Sequence, residues 1–476
     1  MTYYLIPKSN FLSHKYIDCV LSDEIPIPVI SNSLSNYLYE IKEELESQEK
    51  DWDIFKKYTN PYEYIHSQVP QRKKCVSKYK PLSRSYFKMI EMVSLFDFNF
   101  GVQPIRTFHL AEGPGGFIEA IAGIRNCPED QYVGMTILDE NNDPNIPAWK
   151  KTEHFLRQHK NVYIEKGATG TGNILALENL EYCREKYGSS MDLITADGGF
   201  DFSLDFNQQE IIIARLLYAQ IAYAILMQRR GGSFILKIFD VFMQHSIDLI
   251  YILSTFYEKV YIIKPQTSRY ANSEKYIVCK GFLFGSRAAE DNGGNRSFFR
   301  NEVVERRPKV SALSLHALPA PTTDPSEDEQ YFYPILHRSF AKMLSSDKYV
   351  CRFINISIPI NFVTRLEEYN AIFGQQQIEN IYYTISLIKN KNRQDKIDNL
   401  IKTNVQKCIS WCNKYNVPYL TFAAPFQDDK GEERSFRTTF RNEIEERSEF
   451  VDKRRRNPPT FRNAVMSEGE YSYGNS

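Results

Sequence analysis

From Pro81 to Phe284 the apolar positions recur with two periods. Short apolar runs with strand-like patterning predict strands at Thr107–Ala111, Gln131–Ile137, Val162–Glu165, Met191–Ala196, Gly232–Lys237, Lys259–Ile263 and Lys275–Gly281. Helical spacing predicts helices between them, notably Phe117–Ile124, Ile146–Gln158 and Gln208–Gln228. This alternation argues for an α/β fold, a doubly wound sheet with helices on both faces. Such sheets hold their ligands beyond the carboxyl ends of the strands.

The pattern changes on either side. Residues 1–80 mix helical segments and loops with no repeat and read as an N-terminal extension; 81–285 form the α/β domain. Residues 286–330 are polar and rich in Pro, Gly and Asn, which suits a linker or long loop. Helical periodicity returns over 331–426, at Ile378, Ile381, Ile385 and Ile388 and from Ile397 to Trp411. Residues 427–476 read as a charged, partly disordered tail that includes Lys453-Arg454-Arg455-Arg456.

Composition narrows the class. Of 476 residues, 42% are hydrophobic and 25% charged, as in a folded globular chain. The formal net charge is zero, so any nucleic-acid site must be a local patch. The apolar run Ile211–Met227 is interrupted by Arg215 and Gln220 and reads as a buried helix, so no membrane span is expected. The N-terminus lacks a secretory pattern. The eight cysteines lack metal-ligand spacing: Cys408 and Cys412 are one helical turn apart with no second pair. Reduced thiols in an intracellular compartment, and no metal, are expected.

Candidate chemistry begins at Phe108-His109-Leu110-Ala111-Glu112-Gly113-Pro114-Gly115-Gly116-Phe117, a strand entering a glycine-rich turn and then a helix. Glycines there allow close backbone approach to a ligand, and the helix offers N-terminal amides. The turn is not G-x-G-x-x-G, which argues against NAD. Four polar residues lie where the sheet would gather them: Lys88 on the preceding helix, Asp197 at the end of one strand, Lys237 at the end of another, and Glu274 opening the last. Singly, each has an ordinary reading as a surface lysine, a turn aspartate or a strand-edge glutamate. The order Lys, Gly-rich turn, Asp, Lys, Glu is harder to read as coincidence.

That order resembles the FtsJ/RrmJ-type 2′-O-ribose methyltransferases, and most closely the cap-specific mRNA (nucleoside-2′-O-)-methyltransferases. The matching segments are Ser83–Lys88, Ala111–Phe117, Gly134-Met135-Thr136, Thr195-Ala196-Asp197-Gly198-Gly199, Gly231–Asp240 and Lys264–Arg269 through Asn272-Ser273-Glu274. The layout, with its C-terminal extension, also resembles versions encoded by large DNA viruses. The resemblance implies a Rossmann-like S-adenosylmethionine-dependent methyltransferase sheet with helical N- and C-terminal extensions. It implies Lys88, Asp197, Lys237 and Glu274 as a catalytic tetrad and S-adenosylmethionine as cofactor. It also implies methylation of the ribose 2′-hydroxyl of the first transcribed nucleotide at a capped mRNA 5′ end.

Chemistry gives an independent reason for such a set. A ribose hydroxyl must lose its proton as the methyl group arrives, and a lysine can accept it only as the neutral amine. Two ammonium groups ~4 Å apart repel by about 4 kcal/mol at an effective dielectric near 20, roughly a thousandfold bias against the second charge. With the family pattern, this assigns Lys237 as base and Lys88 as the tuning group that holds the hydroxyl. Asp197 and Glu274 orient the two amines.

The resemblance places the cofactor against Glu112, Gly113, Pro114, Gly115, Gly116, Phe117 and Asp197. Asp139 could bind ribose hydroxyls or simply be a turn residue. Related enzymes often carry an acid in the loop after the third strand, where adenine is held. Here that loop is Gly167-Ala168-Thr169-Gly170-Thr171-Gly172-Asn173, which leaves Asn173 or backbone groups to serve.

For RNA, the stretch from Gln71 to Lys88 contains no acidic residue. Arg72, Lys73, Lys74, Lys78 and Arg84, interleaved with Tyr79, Tyr86 and Phe87, suit a phosphate-tracking surface. Ser268, Arg269 and Asn272 are the next candidates, because the matching family loop lines the RNA cleft. Two alternatives remain: the same chemistry on ribosomal or transfer RNA, and a non-catalytic RNA-binding subunit retaining the fold. Capping or transcription machinery is a partner class of such enzymes, with a cytoplasmic virus factory or virion as the setting if viral and the nucleus if cellular. The absence of G-x-x-x-x-G-K-[ST] and Lys-x-Asp-Gly motifs argues against a kinase, a helicase or a guanylyltransferase.

Overall fold

The structure is a computed structural model. It describes residues 3–9, 14–46, 49–70, 72–98, 100–138, 148–199, 207–285 and 325–420, which all belong to one contact unit. Most of the expected linker and the whole charged tail, with Lys453–Arg456, lie outside the described residues.

Ten strands are present among the described residues: β1 (Tyr3–Ile6), β2 (Ile17–Ser22), β3 (Arg106–Leu110), β4 (Gln131–Met135), β5 (Val162–Ile164), β6 (Met191–Ala196), β7 (Gln228–Ile238), β8 (Tyr257–Ile263), β9 (Lys275–Phe282) and β10 (Tyr349–Ile354). Eight make one sheet in the order β1-β8-β9-β7-β6-β3-β4-β5, and β10 pairs antiparallel with β2 in a second, small sheet. β5, β4, β3, β6 and β7 run parallel, while β9 is antiparallel to β7 and β8. The seven strands expected from the sequence are all present, displaced at their ends by a few residues.

β1, β2 and β10 escaped the sequence reading. Each is short, and each pairs with a strand far away in the chain: Tyr3 opposes Ile263, and Tyr349 opposes Ser22. Local periodicity carries no trace of such partners.

The helices are α1 (Asn32–Glu46), α2 (Glu49–Thr59), α3 (Ser85–Phe96), α4 (Gly116–Arg125), α5 (Glu153–Gln158), α6 (Leu177–Tyr187), α7 (Gln209–Met227), α8 (Gln244–Phe256), α9 (Pro325–Leu344), α10 (Ile360–Lys389) and α11 (Gln394–Lys414). α5 is shorter than the expected Ile146–Gln158; residues 148–151 are turn, and 146–147 lie outside the described residues.

Both sheet faces are covered, and strand alternation decides which core each side chain joins. Phe234 and Leu236 of β7 with Ile277 and Cys279 of β9 enter the core shared with α6, α7, α8 and α9. Ile235 with Tyr276 and Val278 enter the opposite core, shared with α3 and α4. A third cluster joins α1 and α2 to α10 and α11. The fold is therefore the expected doubly wound, Rossmann-like α/β arrangement.

The apolar helix α7 is long and apolar enough to cross a membrane, but here 83% of its apolar window is buried inside the protein. Its two polar interruptions have structural duties. Arg215 donates to the carbonyls of Ser346 and Lys348. Gln220 Oε1 accepts the Gly198 amide at 3.3 Å, which supports the turn after β6.

Candidate active site

β3 is flanked by β4 on one side and β6 on the other, so the strand order reverses there. This is the topological switch point at which open α/β sheets leave a crevice. The glycine turn follows β3, and Asp197 follows β6.

Strand register then assembles the polar residues. β6 and β7 run parallel with Ala196 opposite Leu236, so Asp197, just past β6, falls beside Lys237 of β7. In the antiparallel β7–β9 pair Lys237 is opposite Tyr276, and opposite residues share a face. Glu274 is two residues before Tyr276 and falls on that face too, just outside the strand. α3, packed on α4, brings Lys88 to the same place.

The contacts are direct. Lys88 Nζ is 2.7 Å from Glu274 Oε1 and 2.8 Å from Oε2. It also donates to the Tyr276 hydroxyl at 3.1 Å, and that hydroxyl donates to Asp197 Oδ1 at 2.7 Å. Lys237 Nζ donates to the Asp197 carbonyl at 2.6 Å and is 3.3 Å from Oδ1. The four residues expected from the sequence therefore meet in one network.

Electrostatics divides them. Burial pushes the Lys88 amine below its ordinary value; Glu274 and Asp197 oppose this, while Arg84 and Lys237 add to it. Burial, rather than the second lysine, is the largest cause. Burial also disfavours ionised Glu274, but Lys88, Lys237 and Arg84 outweigh it and hold that carboxyl well below the usual range.

Tyr276 is the member that sequence reasoning missed. It is completely buried and packs against Phe117, with ring centroids 5.9 Å apart. A period of two from Glu274 was the available signal. Tyr276→Phe keeps the ring and removes the bridge between Lys88 and Asp197. A loss of about five- to a hundredfold in turnover is expected, the scale of the two internal hydrogen bonds removed. Steady-state rates of the purified variant check this; a wild-type rate would show that the bridge is unused.

The glycine turn is built to admit protein as much as ligand. A Cβ on Gly113 would be 2.3 Å from the Ala148 carbonyl oxygen, and one on Gly116 would be 2.2 Å from Ser83 Oγ. Gly116 thus lets the first turns of α3 and α4 meet, which fixes Lys88 relative to the turn. Gly115 has φ +100° and packs on Trp149. Thr152 Oγ1 donates to the Pro114 carbonyl at 2.9 Å. Phe117 is buried and can face a ligand only through its backbone. Glu112 turns inward, hydrogen-bonded by Thr195 and 3.4 Å from His109 Nδ1. Burial raises its carboxyl above the ordinary range. Asp139 lies outside the described residues.

These surroundings can be tested against a sulfonium amino-acid nucleoside. Its cationic end needs an acid, its carboxylate needs amide donors, and its base needs an apolar face. Asp197, the first turn of α4, and Ile137, 46% exposed just beyond β4, supply groups of each kind. In the following loop Asn173 Oδ1 is committed to the Leu175 amide at 3.0 Å, and the Asn179 side chain holds Thr169 and Asn173. The backbone amides of Thr169, Gly170, Thr171, Gly172 and Asn173 are likewise engaged by neighbouring groups of the protein.

The RNA candidates separate into two sets. Arg72, Lys73, Lys74 and Lys78 are exposed, on a segment whose backbone is tied to Tyr64, Ile65 and Pro418. Asn272 is exposed as well. The other three serve the site's framework. Arg269 forms a two-pronged pair with buried Glu63 at 2.9 and 2.6 Å. Arg84 donates to the Thr267 carbonyl at 3.0 Å, and Ser268 Oγ donates to Glu274 Oε1 at 2.7 Å. Of the interleaved aromatics, Phe87 is fully buried, and the Tyr79 hydroxyl is engaged by Glu119 at 2.7 Å.

Comparison with known proteins gives the site its family. Residues 81–282 match the model of FtsJ-like methyltransferases. They form an FtsJ-like methyltransferase domain. Cap-specific mRNA (nucleoside-2′-O-)-methyltransferase 1 of Danio rerio is 35% identical over 184 residues, 38% of this chain and 22% of that protein. The protein of that name from Trypanosoma brucei brucei is 40% identical over 119 residues, 25% of this chain and 32% of that one. Cap-specific mRNA (nucleoside-2′-O-)-methyltransferase 2 of Drosophila melanogaster is 28% identical over 197 residues, covering 37% and 27%. This chain spans less than a third of the length of these curated relatives. Within the FtsJ-like domain lie the glycine turn, the tetrad residues and Tyr276.

Proposed function

We propose that this protein methylates the ribose 2′-hydroxyl of the first transcribed nucleotide of capped mRNA, using S-adenosylmethionine. The observation that carries the reading is the convergence of Lys88, Asp197, Lys237 and Glu274 beside the glycine turn, at the switch point of an FtsJ-like domain. The names of the relatives support a capped substrate.

The cofactor, when bound, supplies an electrophilic methyl group. The chain's own residues handle the hydroxyl. Lys237 accepts its proton as the new oxygen–carbon bond forms, and the carbonyl and carboxylate of Asp197 hold the amine in place. Lys88, fixed by Glu274 and Tyr276, steadies the oxygen as it becomes negative. The exposed Arg72, Lys73, Lys74 and Lys78 track phosphates, so binding should weaken steeply with added salt.

Labelled S-adenosylmethionine offered with capped, uncapped and structured RNAs of one sequence tests the reading. Label should enter capped RNA and little else. Uptake confined to uncapped ribosomal or transfer RNA fragments would replace this reading with one of a structured-RNA enzyme.

A further inference from the structure

Glu91 lies one helical turn beyond Lys88 on α3 and is completely buried. Its carboxylate accepts three N–H donors from two other parts of the chain. Oε2 takes the Gln266 amide at 2.7 Å, and Oε1 takes the Thr267 amide at 2.8 Å. Oε1 also takes the indole N–H of Trp411, on α11, at 3.0 Å. The segment after β8 that it grips leads to Ser268 and Glu274, whose side chains are joined at 2.7 Å. Trp411 in turn packs edge-on against Phe87, the neighbour of Lys88, with ring centroids 5.7 Å apart.

We infer that Glu91 is a positioning residue for the Lys88–Glu274 pair, and that Trp411 makes helix α11 a working part of the active site. Three groups that must meet are borne on α3, on the segment after β8 and on a helix more than a hundred residues further on. One carboxylate joins them. Ionised, the carboxyl is acceptor-only, which suits this place because every partner is a donor and a buried donor left unpaired is costly. Burial pushes its pKa up to about 7, and the amide and indole donors oppose that rise. A neutral amide cannot replace it, since its NH₂ would face N–H groups. This inference rests on the proposed methyl transfer.

Two variants of the full chain test it. Glu91→Gln should lower kcat on capped RNA by about 10- to 100-fold, the scale of a small misplacement of reacting groups. KM for RNA and the dissociation constant for S-adenosylmethionine should stay within about threefold, because a group acting on the reacting pair is felt in kcat. Trp411→Phe keeps an aromatic ring and deletes one donor; a fall in kcat of about three- to tenfold is expected. If Glu91→Gln does not fold, Trp411→Phe decides alone. Wild-type kcat in the folded variants, even with a lowered melting temperature, would reduce Glu91 to a packing role and overturn the inference. Failure of the wild-type chain itself to methylate capped RNA would instead overturn the functional reading beneath it.

Discussion

Lys237→Ala is expected to lower methyl transfer by about 10²- to 10⁴-fold, the usual contribution of a general base, while S-adenosylmethionine still binds. Alanine preserves the β7 backbone, and with it the pairing to Tyr276 across the sheet. What disappears is the amine held 2.6 Å from the Asp197 carbonyl. The amine's partners are the carbonyl and carboxylate of Asp197, which the Tyr276 hydroxyl still holds in the variant, so calorimetry should still report cofactor binding. A small exogenous amine should restore part of the rate. Near wild-type turnover in the variant would remove Lys237 from the base role.

Asp240→Asn is expected to destabilise the fold by about 3–5 kcal/mol, the scale for breaking a buried ion pair from one side. Asp240 is three residues past Lys237, and its carboxylate lies 3.0 Å from Lys42 and 3.2 Å from Lys275. Both lysines are buried, so asparagine would leave two ammonium groups in the interior without their counter-charge. Lys42 belongs to α1, Asp240 follows β7 and Lys275 opens β9, so the triad ties the N-terminal extension to two of the strands that carry the site.

The pH dependence of this effect has a definite sign. Burial works against ionised Asp240, but Lys42 and Lys275 outweigh it and hold its carboxyl below the ordinary range. A depressed carboxyl contributes stability that is complete above its unfolded value, near pH 4. That stability is lost as pH falls through the folded value. Burial depresses Lys275, and Asp240 is the first group opposing it. Without Asp240, the penalty of charged Lys275 should shrink as pH rises toward about 10, where the unfolded lysine also loses its proton. Denaturant unfolding of the variant and the parent at pH 7 and near pH 10 checks the lysine effect, and the parent's loss of stability below about pH 4 checks the carboxyl. An equal deficit at pH 7 and near pH 10 would show that the loss is not electrostatic.

The sheet was legible because strands buried on both faces read as continuous apolar runs, as Phe234-Ile235-Leu236 and Ile277-Val278-Cys279 do. The meeting of Asp197 and Lys237 was legible because each closes such a run, where strand register must bring them together. Tyr276, Glu91, Asp240 and Gln220 were not. Each is a single polar or aromatic residue whose partner lies at least twenty-two positions away, and its role exists only once the elements have packed. Arg84 and Arg269 illustrate the converse. In sequence they look like phosphate ligands, whereas packing commits them to a carbonyl and to Glu63.

Alkaline hydrolysis of the product locates the transferred methyl group. A 2′-O-methylated ribose has lost the nucleophile that cleaves its own 3′ phosphodiester. In RNA methylated by this protein, the 3′ phosphodiester after the first transcribed nucleotide alone should resist alkali, and that nucleotide should carry the label. Complete alkaline cleavage at that linkage, with the label recovered on a base or on the cap guanine, would contradict the proposed 2′-hydroxyl methylation.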